Sequence, residues 1–438
     1  MFMSLFNVDA LSLIMVCLVG FVSLTVASFA TRYMKGDTHY KTFFIQLLLI
    51  VSSVTVMVCA DNLWLLLAAF GISNLLLVRL MIHKAGWKAA KASGLLAAKT
   101  YLFGFACITI AFMLFYDATG QSSIWAIINA HSNRDAVSIG LCFLLVGAMT
   151  QSAIYPFHKW LISSLNSPSP VSAIMHAGLV NGGGFLLARF APLYVNTPRL
   201  LGVIFLAGLA TALLGTLWKL MQHDVKRMLA CSTMAQMGFM VAQCGLGLFP
   251  AAVAHLCWHG LFKAYLFLAS GGAAQEKRLD PGYPPRFSHF LLALTGGIAG
   301  AFGFCLASGK TGFAADTHLV LIAIAFIAGT QFALTLLRQK DMIWLPLILI
   351  VTFIIGNIYG LNVLLVEQLL APLHLMQPQP LNLLHIVAIS ALASVWLGIL
   401  FFRHHKPEWL HRFYVLALNA SQPHTNTITA YRNHYRYV

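Results

Sequence analysis

Apolar runs long enough to cross a bilayer recur thirteen times along the chain, at 9–31, 43–60, 62–82, 92–116, 136–155, 170–190, 199–218, 228–248, 250–273, 288–308, 318–337, 343–366 and 382–402. A hydrocarbon core about 30 Å thick is spanned by roughly 20 helical residues. In lipid each backbone N–H and C=O must be paired within its own segment, so runs of this kind fold as helices. The pattern predicts an all-α integral membrane protein with about 13 transmembrane helices. With 59% hydrophobic and 9% charged residues, little polar sequence remains for a soluble domain. The longest polar stretches are 272–287 and the segment from Arg403. We therefore expect a polytopic transmembrane domain over 1–402 and a basic, aromatic cytoplasmic tail over 403–438. The first run has no cationic stretch before it and no clear small-residue cleavage site, so it is expected to be retained.

A formal net charge of +15 raises the question of nucleic acid, and its distribution answers it. When the runs are threaded back and forth, 21 of the 27 Lys and Arg residues fall on one side, against Arg134, Arg199 and Lys310 on the other. Loops rich in Lys and Arg stay in the cytoplasm. The excess is thus topology, with the N-terminus outside and the C-terminus inside, and no nucleic-acid partner is expected. The tail suits a segment lying on membrane lipids, or one docking on a partner. Lys99, Arg189 and Lys263 are the cations left within spans, and Arg189 is near enough to a span end to snorkel. The eight cysteines all lie in spans without a CxxC pair, as small core hydrophobes do.

Helix breakers concentrate in two places. Pro156, Pro168, Pro170 and Gly182–Gly184 interrupt "QSAIYPFHKWLISSLNSPSPVSAIMHAGLVNGGGF", and Gly296, Gly297, Gly300, Gly303 and Gly309 crowd "LTGGIAGAFGFCLASGKTGF". Unwound backbone at membrane depth is tolerated where it lines a hydrated cavity, and transporter sites place such breaks at matching positions of two repeats. A separation of five spans hints at two five-helix repeats, although glycines also serve close helix packing.

The stretch "AHLCWHGLFKAYLFLASGG" sets His255, His259 and Lys263 four apart, on one helical stripe about 12 Å long. Ionisable groups in a bilayer cost several kcal/mol unless paired or hydrated, and they usually mark an ion path or stabilise an interface. Histidine titrates near neutral pH and burial lowers a lysine's proton affinity, so both residue types suit proton exchange. The histidine pair also has zinc spacing, but HLCWH lacks the glutamate of HExxH and a third ligand nearby, so no metal is expected in this chain. His176 lies halfway into its span after the Pro-Ser-Pro break. Lys99 lies in the fourth span, and Lys310, equally readable as a loop lysine, sits beside the Gly-rich segment. Together they suggest a relay across the bilayer plane. Asp224 and Lys226 mark a cytoplasmic helix start in "HDVKRMLACSTMAQMGFM", where capping and anchoring explain much of the pattern.

These residues bring a family into view. "FNVDALSL", "ADNLWLLL", "PSPVSAIMHAG", "HDVKRMLACSTMAQMGFM" and "HLCWHGLFKAYLFLASG", in this order, resemble the signature segments of the antiporter-like membrane subunits of respiratory complex I and Mrp sodium/proton antiporters. The resemblance covers most of residues 5–313. It implies two inverted five-helix repeats with broken helices, and proton-transfer roles for His176, Lys226, His255, His259, Lys263 and, by approximate alignment, Lys310. The chain also departs from the pattern. Phe70 is followed by Gly71 where the family carries a glutamate, and Gln151 stands where a central lysine is usual. The first half thus lacks that ionisable pair, with Lys99 a partial substitute or that half no longer pumping.

These departures, and the lack of a further apolar run after residue 402, resemble the shorter DabB branch of bacterial inorganic-carbon uptake systems. That likeness implies a place in the bacterial cell (inner) membrane and a DabA-like, carbonic-anhydrase-like partner that carries the zinc. Proton or sodium flow through this chain would then drive CO2 hydration on the partner, and this chain would be an ion-translocating transporter subunit rather than an enzyme. The alternatives are an antiporter-like subunit of a complex I, membrane-hydrogenase or Mrp assembly, and a scaffold that no longer moves ions. A Rossmann fingerprint, a P-loop and a cluster-ligating cysteine run are all missing from the sequence.

Overall fold

The computed structural model describes residues 5–130, 134–275, 285–310, 315–339, 344–402 and 408–428. The chain divides into two compact units, Met1–Gly245 with His255–Gln275 and Ala417–Val438, and Leu246–Ala254 with Glu276–Leu416. The first holds α1 (Ala10–Tyr33), α2 (Tyr40–Cys59), α3 (Leu63–Met81), α4 (Lys88–Thr119), α5 (Ile124–Asn129), α6 (Arg134–Gln151), α7 (Lys159–Ile162), α8 (Ser169–Ala177), α9 (Gly182–Arg189), α10 (Ala191–Val195), α11 (Pro198–Met221), α12 (Val225–Gly245) and most of α13 (Phe249–Ala269). The second holds α14 (Phe287–Ser308), α15 (His318–Gln339), α16 (Leu345–Leu370) and α17 (Leu383–Phe402), and α18 (Glu408–Ala420) leads out of it. Among the described residues the regular structure is helical throughout.

Each of the thirteen apolar runs coincides with a helix or a broken helix, and eleven of these are long and apolar enough to cross a membrane. The other two are informative. α6 stops short at Gln151, where the chain breaks, and α12 carries Lys226, Arg227, Ser232, Thr233, Gln236 and Gln243 within its 21 residues.

Helix starts account for two of the sequence motifs. Asp9 accepts the Ser12 N–H (2.9 Å) and caps α1, while Asn62 accepts the N–H groups of Trp64 (2.9 Å) and Leu65 (3.1 Å) and caps α3. Each cap pairs backbone donors that the first helical turn leaves open. Asp61 beside it accepts from the Trp125 N–H (3.0 Å), tying the start of α3 to α5.

α12 is seated by a heptad-spaced glycine seam. A Cβ on Gly208 would lie 2.3 Å from the Ala242 nitrogen, on Gly215 2.6 Å from that of Ala235, on Gly238 2.4 Å from that of Ala212, and on Gly245 2.3 Å from that of Phe205. α11 and α12 thus meet backbone to backbone, as small-residue stripes allow in membranes. Ser232 and Thr233 use their hydroxyls toward α13 and α8.

The first expected break is present twice over. α6 ends at Gln151 and the chain turns through Ala153, at φ +53°, before α7; α8 gives way at Gly178 to a 3-10 turn, Leu179–Asn181, before α9. The glycine-rich segment of the second unit behaves differently, because α14 runs unbroken from Phe287 to Ser308. Its glycines line contacts with α15 and α16. A Cβ on Gly296 would meet the Ala333 Cβ at 2.4 Å, on Gly303 the Phe353 carbonyl at 2.4 Å, and on Gly356 the Gly300 carbonyl at 2.0 Å. Here glycine brings helices together and does not unwind them.

Arg189 is also placed differently from expectation. It turns inward and forms a fork on Asp9, donating in addition to Ser12 Oγ (2.8 Å) and the Val58 carbonyl (3.0 Å). The ends of α1, α2 and α9 are thereby locked together, an arrangement a snorkelling side chain does not make.

Candidate ion-translocation site

The site is built where the backbone of α8 stops being helical. Gly178 has φ −113° and ψ −74°, and a Cβ there would press within 2.8 Å of the Ile174 carbonyl. The interruption leaves main-chain acceptors without helical donors, a cost in lipid unless other groups supply the bonds. Side chains supply them. His259 Nε2 bonds the His176 carbonyl (3.1 Å), Asn181 Nδ2 the Ala177 carbonyl (2.8 Å), Gln151 Nε2 the Leu179 carbonyl (3.0 Å) and Ser152 Oγ the Val180 carbonyl (2.7 Å). The whole stretch from Ser169 to Arg189 is buried apart from the partly exposed Arg189.

Hydrogen-bond chemistry assigns the proton positions. A carbonyl only accepts, so His259 Nε2 carries hydrogen. Thr233 Oγ1 donates to the Leu229 carbonyl (3.0 Å), so it accepts from His176 Nδ1 at 3.1 Å. The His255 ring lies against the Gln236 backbone, and its Nε2 is buried without a partner among the described residues. The His255 and His259 rings stack with centroids 6.3 Å apart at 24°, and His176 stacks on Phe267 at 4.2 Å.

Lys263 is the least exposed Lys or Arg among the described residues, at 1%, and its Nζ donates to Ser232 Oγ at 2.8 Å with the Phe262 ring centroid 5.6 Å away. Ser232 and Thr233, adjacent on α12, thus serve Lys263 and His176 respectively. His176 lies within Coulombic range of both Lys263 and Lys226. Lys226 Nζ donates to the Ser167 carbonyl (3.1 Å) just ahead of α8. The first unit therefore assembles His176, His255, His259, Lys263 and Lys226 around α8, α12 and α13.

The remaining candidates separate from this group. Asp224 accepts the Arg227 N–H (2.9 Å) and caps α12. Gln151 splices α6 to the broken helix, with its Oε1 lacking a partner among the described residues, and lines a cavity with room for about one water molecule beside Phe70, Ser73, Gly178 and Gly182. Lys99 is exposed on α4. Lys310 belongs to the second unit, where its Nζ pairs with Glu367 at 2.7 Å. Three polar partners, Ser232, Thr233 and Glu367, were not singled out from the sequence. The adjacent hydroxyls inside "CSTMAQMG" were the available signal, whereas Glu367 lies 57 residues from its lysine.

The family whose model describes the transmembrane part of NADH:quinone oxidoreductases and Mrp antiporters matches residues 60–281, and that of the N-terminus of complex I chain 5 matches residues 3–44. A probable inorganic carbon transporter subunit DabB1 of Halothiobacillus neapolitanus is 39% identical over 293 residues, 65% of this chain and 52% of that protein. The corresponding DabB of Bacillus subtilis is 31% identical over 371 residues, 82% of this chain and 69% of that protein. The chain thus spans about half to two thirds of the length of these relatives. In fold it matches a chain of the Mrp complex from Dietzia sp. with a TM-score of 0.60 at 21% identity, over 96% of this chain and 45% of the other. The chain belongs to the NADH:quinone oxidoreductase/Mrp antiporter family of membrane subunits, alongside its DabB inorganic-carbon transporter members.

Proposed function

We propose that the chain is the energy-coupling membrane subunit of an inorganic-carbon uptake complex, in the cell membrane of a bacterium. Protons or sodium ions pass through the His255, His259, Lys263 and His176 cluster, and their flow drives hydration of CO2 to bicarbonate on a zinc-bearing, carbonic-anhydrase-like partner. The observation that carries the ion-transfer reading is the fully buried Lys263, held by one serine hydroxyl and, among the described residues, hydrogen-bonded to no carboxylate. A lysine fixed by a neutral, exchangeable partner can exist with or without its proton. The stacked histidines continue the line along α13, and the bare Nε2 of His255 is a ready acceptor. Moving one charge across the membrane supplies about 2.3 kcal/mol per 100 mV, enough to bias a coupled hydration severalfold or more. The names of the DabB relatives support inorganic carbon as the cargo of the assembly.

Labelled inorganic carbon accumulation tests this in cells without their own carbonic anhydrases, expressing the chain with its partner, with and without an uncoupler. Accumulation is expected, and is expected to collapse on uncoupling. Lys263→Ala should reduce it to background in the assembled complex. Lys263→Arg should do the same, because a guanidinium keeps charge and donors but does not release its proton. Full uptake by Lys263→Arg would remove Lys263 as a proton carrier. Absence of accumulation with both subunits confirmed in the membrane would favour a redox-linked or Mrp-type subunit, the other assemblies in the matching family's description.

A further inference from the structure

The polar end of α12 is covered by chain arriving from beyond α18. Gln222 Nε2 donates to Ser421 Oγ (2.9 Å) and Arg227 Nη1 to Gln422 Oε1 (3.3 Å). Lys159 Nζ donates to the carbonyls of Ala420 (2.9 Å) and Gln422 (3.2 Å). The His424 N–H donates to Ser163 Oγ (2.9 Å), and Asn166 Nδ2 to the Thr427 carbonyl (3.0 Å). Ser421 and Thr427 are 1% and 4% exposed. This short polar segment is thus held by hydrogen bonds whose donors come from α7, the turn that follows it, the end of α11 and the start of α12.

What the segment holds is as informative as how it is held. Asn166 also donates to Ser93 Oγ (2.9 Å), and Ser93 donates to the Ser163 carbonyl (2.8 Å), so Ser163–Asn166 is fixed to α4 on one side and to the C-terminal segment on the other. The next residue, Ser167, offers its carbonyl to Lys226. We propose that Ser421–Thr427 is a positioning strap for Lys226: it immobilises the Ser163–Ser167 turn, so that the buried Ser167 keeps its carbonyl aimed at the lysine. Lys159 and Asn166 act as positioning residues, through the strap and turn rather than by touching the ion. The strap's relevance to transport rests on Lys226 belonging to the ion path, whereas its hold on the turn stands on geometry alone.

Two readouts separate these. In the full assembly, with the exposed Cys17 and Cys142 replaced by serine, Ser167→Cys reports access to the turn through its labelling rate with a water-soluble maleimide, in vesicles of both orientations. Loss of a charge-assisted bond corresponds to at least about a tenfold gain in the open population. Lys159→Met with Asn166→Ala should accelerate labelling by about that factor or more, and Lys159→Arg with native Asn166 should label at the parent rate. Without the reporter cysteine, the Lys159→Met/Asn166→Ala assembly should show a displaced pH profile of ion flux, because the Ser167 carbonyl is then no longer held on Lys226, which faces Asp224, Tyr33 and His176. Unchanged labelling would overturn the strap. Faster labelling with an unmoved pH profile would overturn its positioning of Lys226. A parent assembly without flux would count against the ion-carrier reading, while labelling would still decide the strap.

Discussion

Replacing Arg189 by methionine should be among the most destabilising changes in the first unit. Its guanidinium forms the fork on Asp9 and bonds Ser12 Oγ and the Val58 carbonyl, with the ion-pair side chains only 9% and 13% exposed. Removing one partner of a buried pair costs about 3–5 kcal/mol, mostly through the charge left behind. Asp9 would retain the Ser12 N–H and hydroxyl as donors at 2.9 and 3.0 Å. We therefore expect about 3 kcal/mol, the lower end. Arg189→Lys keeps the charge without the planar fork and should cost roughly half as much. Asp9→Asn should resemble Arg189→Met, and the double variant should cost at least about 2 kcal/mol less than the sum of the singles. SDS titration of the purified protein, followed by tryptophan fluorescence across the four members of the cycle, measures that coupling. Single effects that add to within about 0.5 kcal/mol would show that the pair is not a clamp.

Two further changes probe other parts of the fold. Burial raises the Asp37 carboxyl, but the His39 N–H (2.8 Å), the His83 ring (3.2 Å) and the charge of Lys84 outweigh it and hold the group below the ordinary carboxylate range. Its contribution to stability is thus present above the ordinary carboxylate pKa, about 4, and lost as pH falls through the depressed value, so Asp37→Asn should flatten that acid limb in unfolding titrations; equal slopes in both proteins would contradict this. Gly356→Leu should force α16 off α14 at a cost of about 1–3 kcal/mol or more, read as a lower unfolding midpoint, whereas Gly398→Leu, with nothing within 4 Å of its Cβ position, should leave it unchanged.

Much of the fold was legible because lipid leaves few choices: a run of some twenty apolar residues becomes a helix, and the expected runs did so except at 136–155 and 170–190, where the helix stops short or breaks. The His255, His259 and Lys263 stripe was equally legible, since periodicity alone places residues four apart on one face. The glycines were harder. Pro156 and Pro170 mark breaks through lost N–H groups, but Gly296, Gly300 and Gly303 also follow the three- and four-residue spacing of a packing stripe, and composition does not separate the two uses. Arg189 was misplaced because its partner Asp9 lies 180 residues earlier, and local sequence offered only the nearby span end. Lys99 falls in α4, as its apolar run predicts, but its exposed side depends on which face of α4 packs inward. The strap was invisible for the same reason: its acceptors are largely backbone carbonyls, which carry no sequence signature.

The glycine contacts bear on how this chain can change over generations. At Gly71 and Gly94 an added methyl would strike side chains, the Phe105 ring at 2.8 Å and Ile82 at 2.2 Å, and a smaller residue at the facing position restores room. At Gly356 and Gly238 the obstruction is main chain, the Gly300 carbonyl and the Ala212 nitrogen, which no codon can trim. A genetic selection should therefore return local compensating alleles for the first pair of positions. For the second pair it should return true revertants, or distant alleles that raise stability generally.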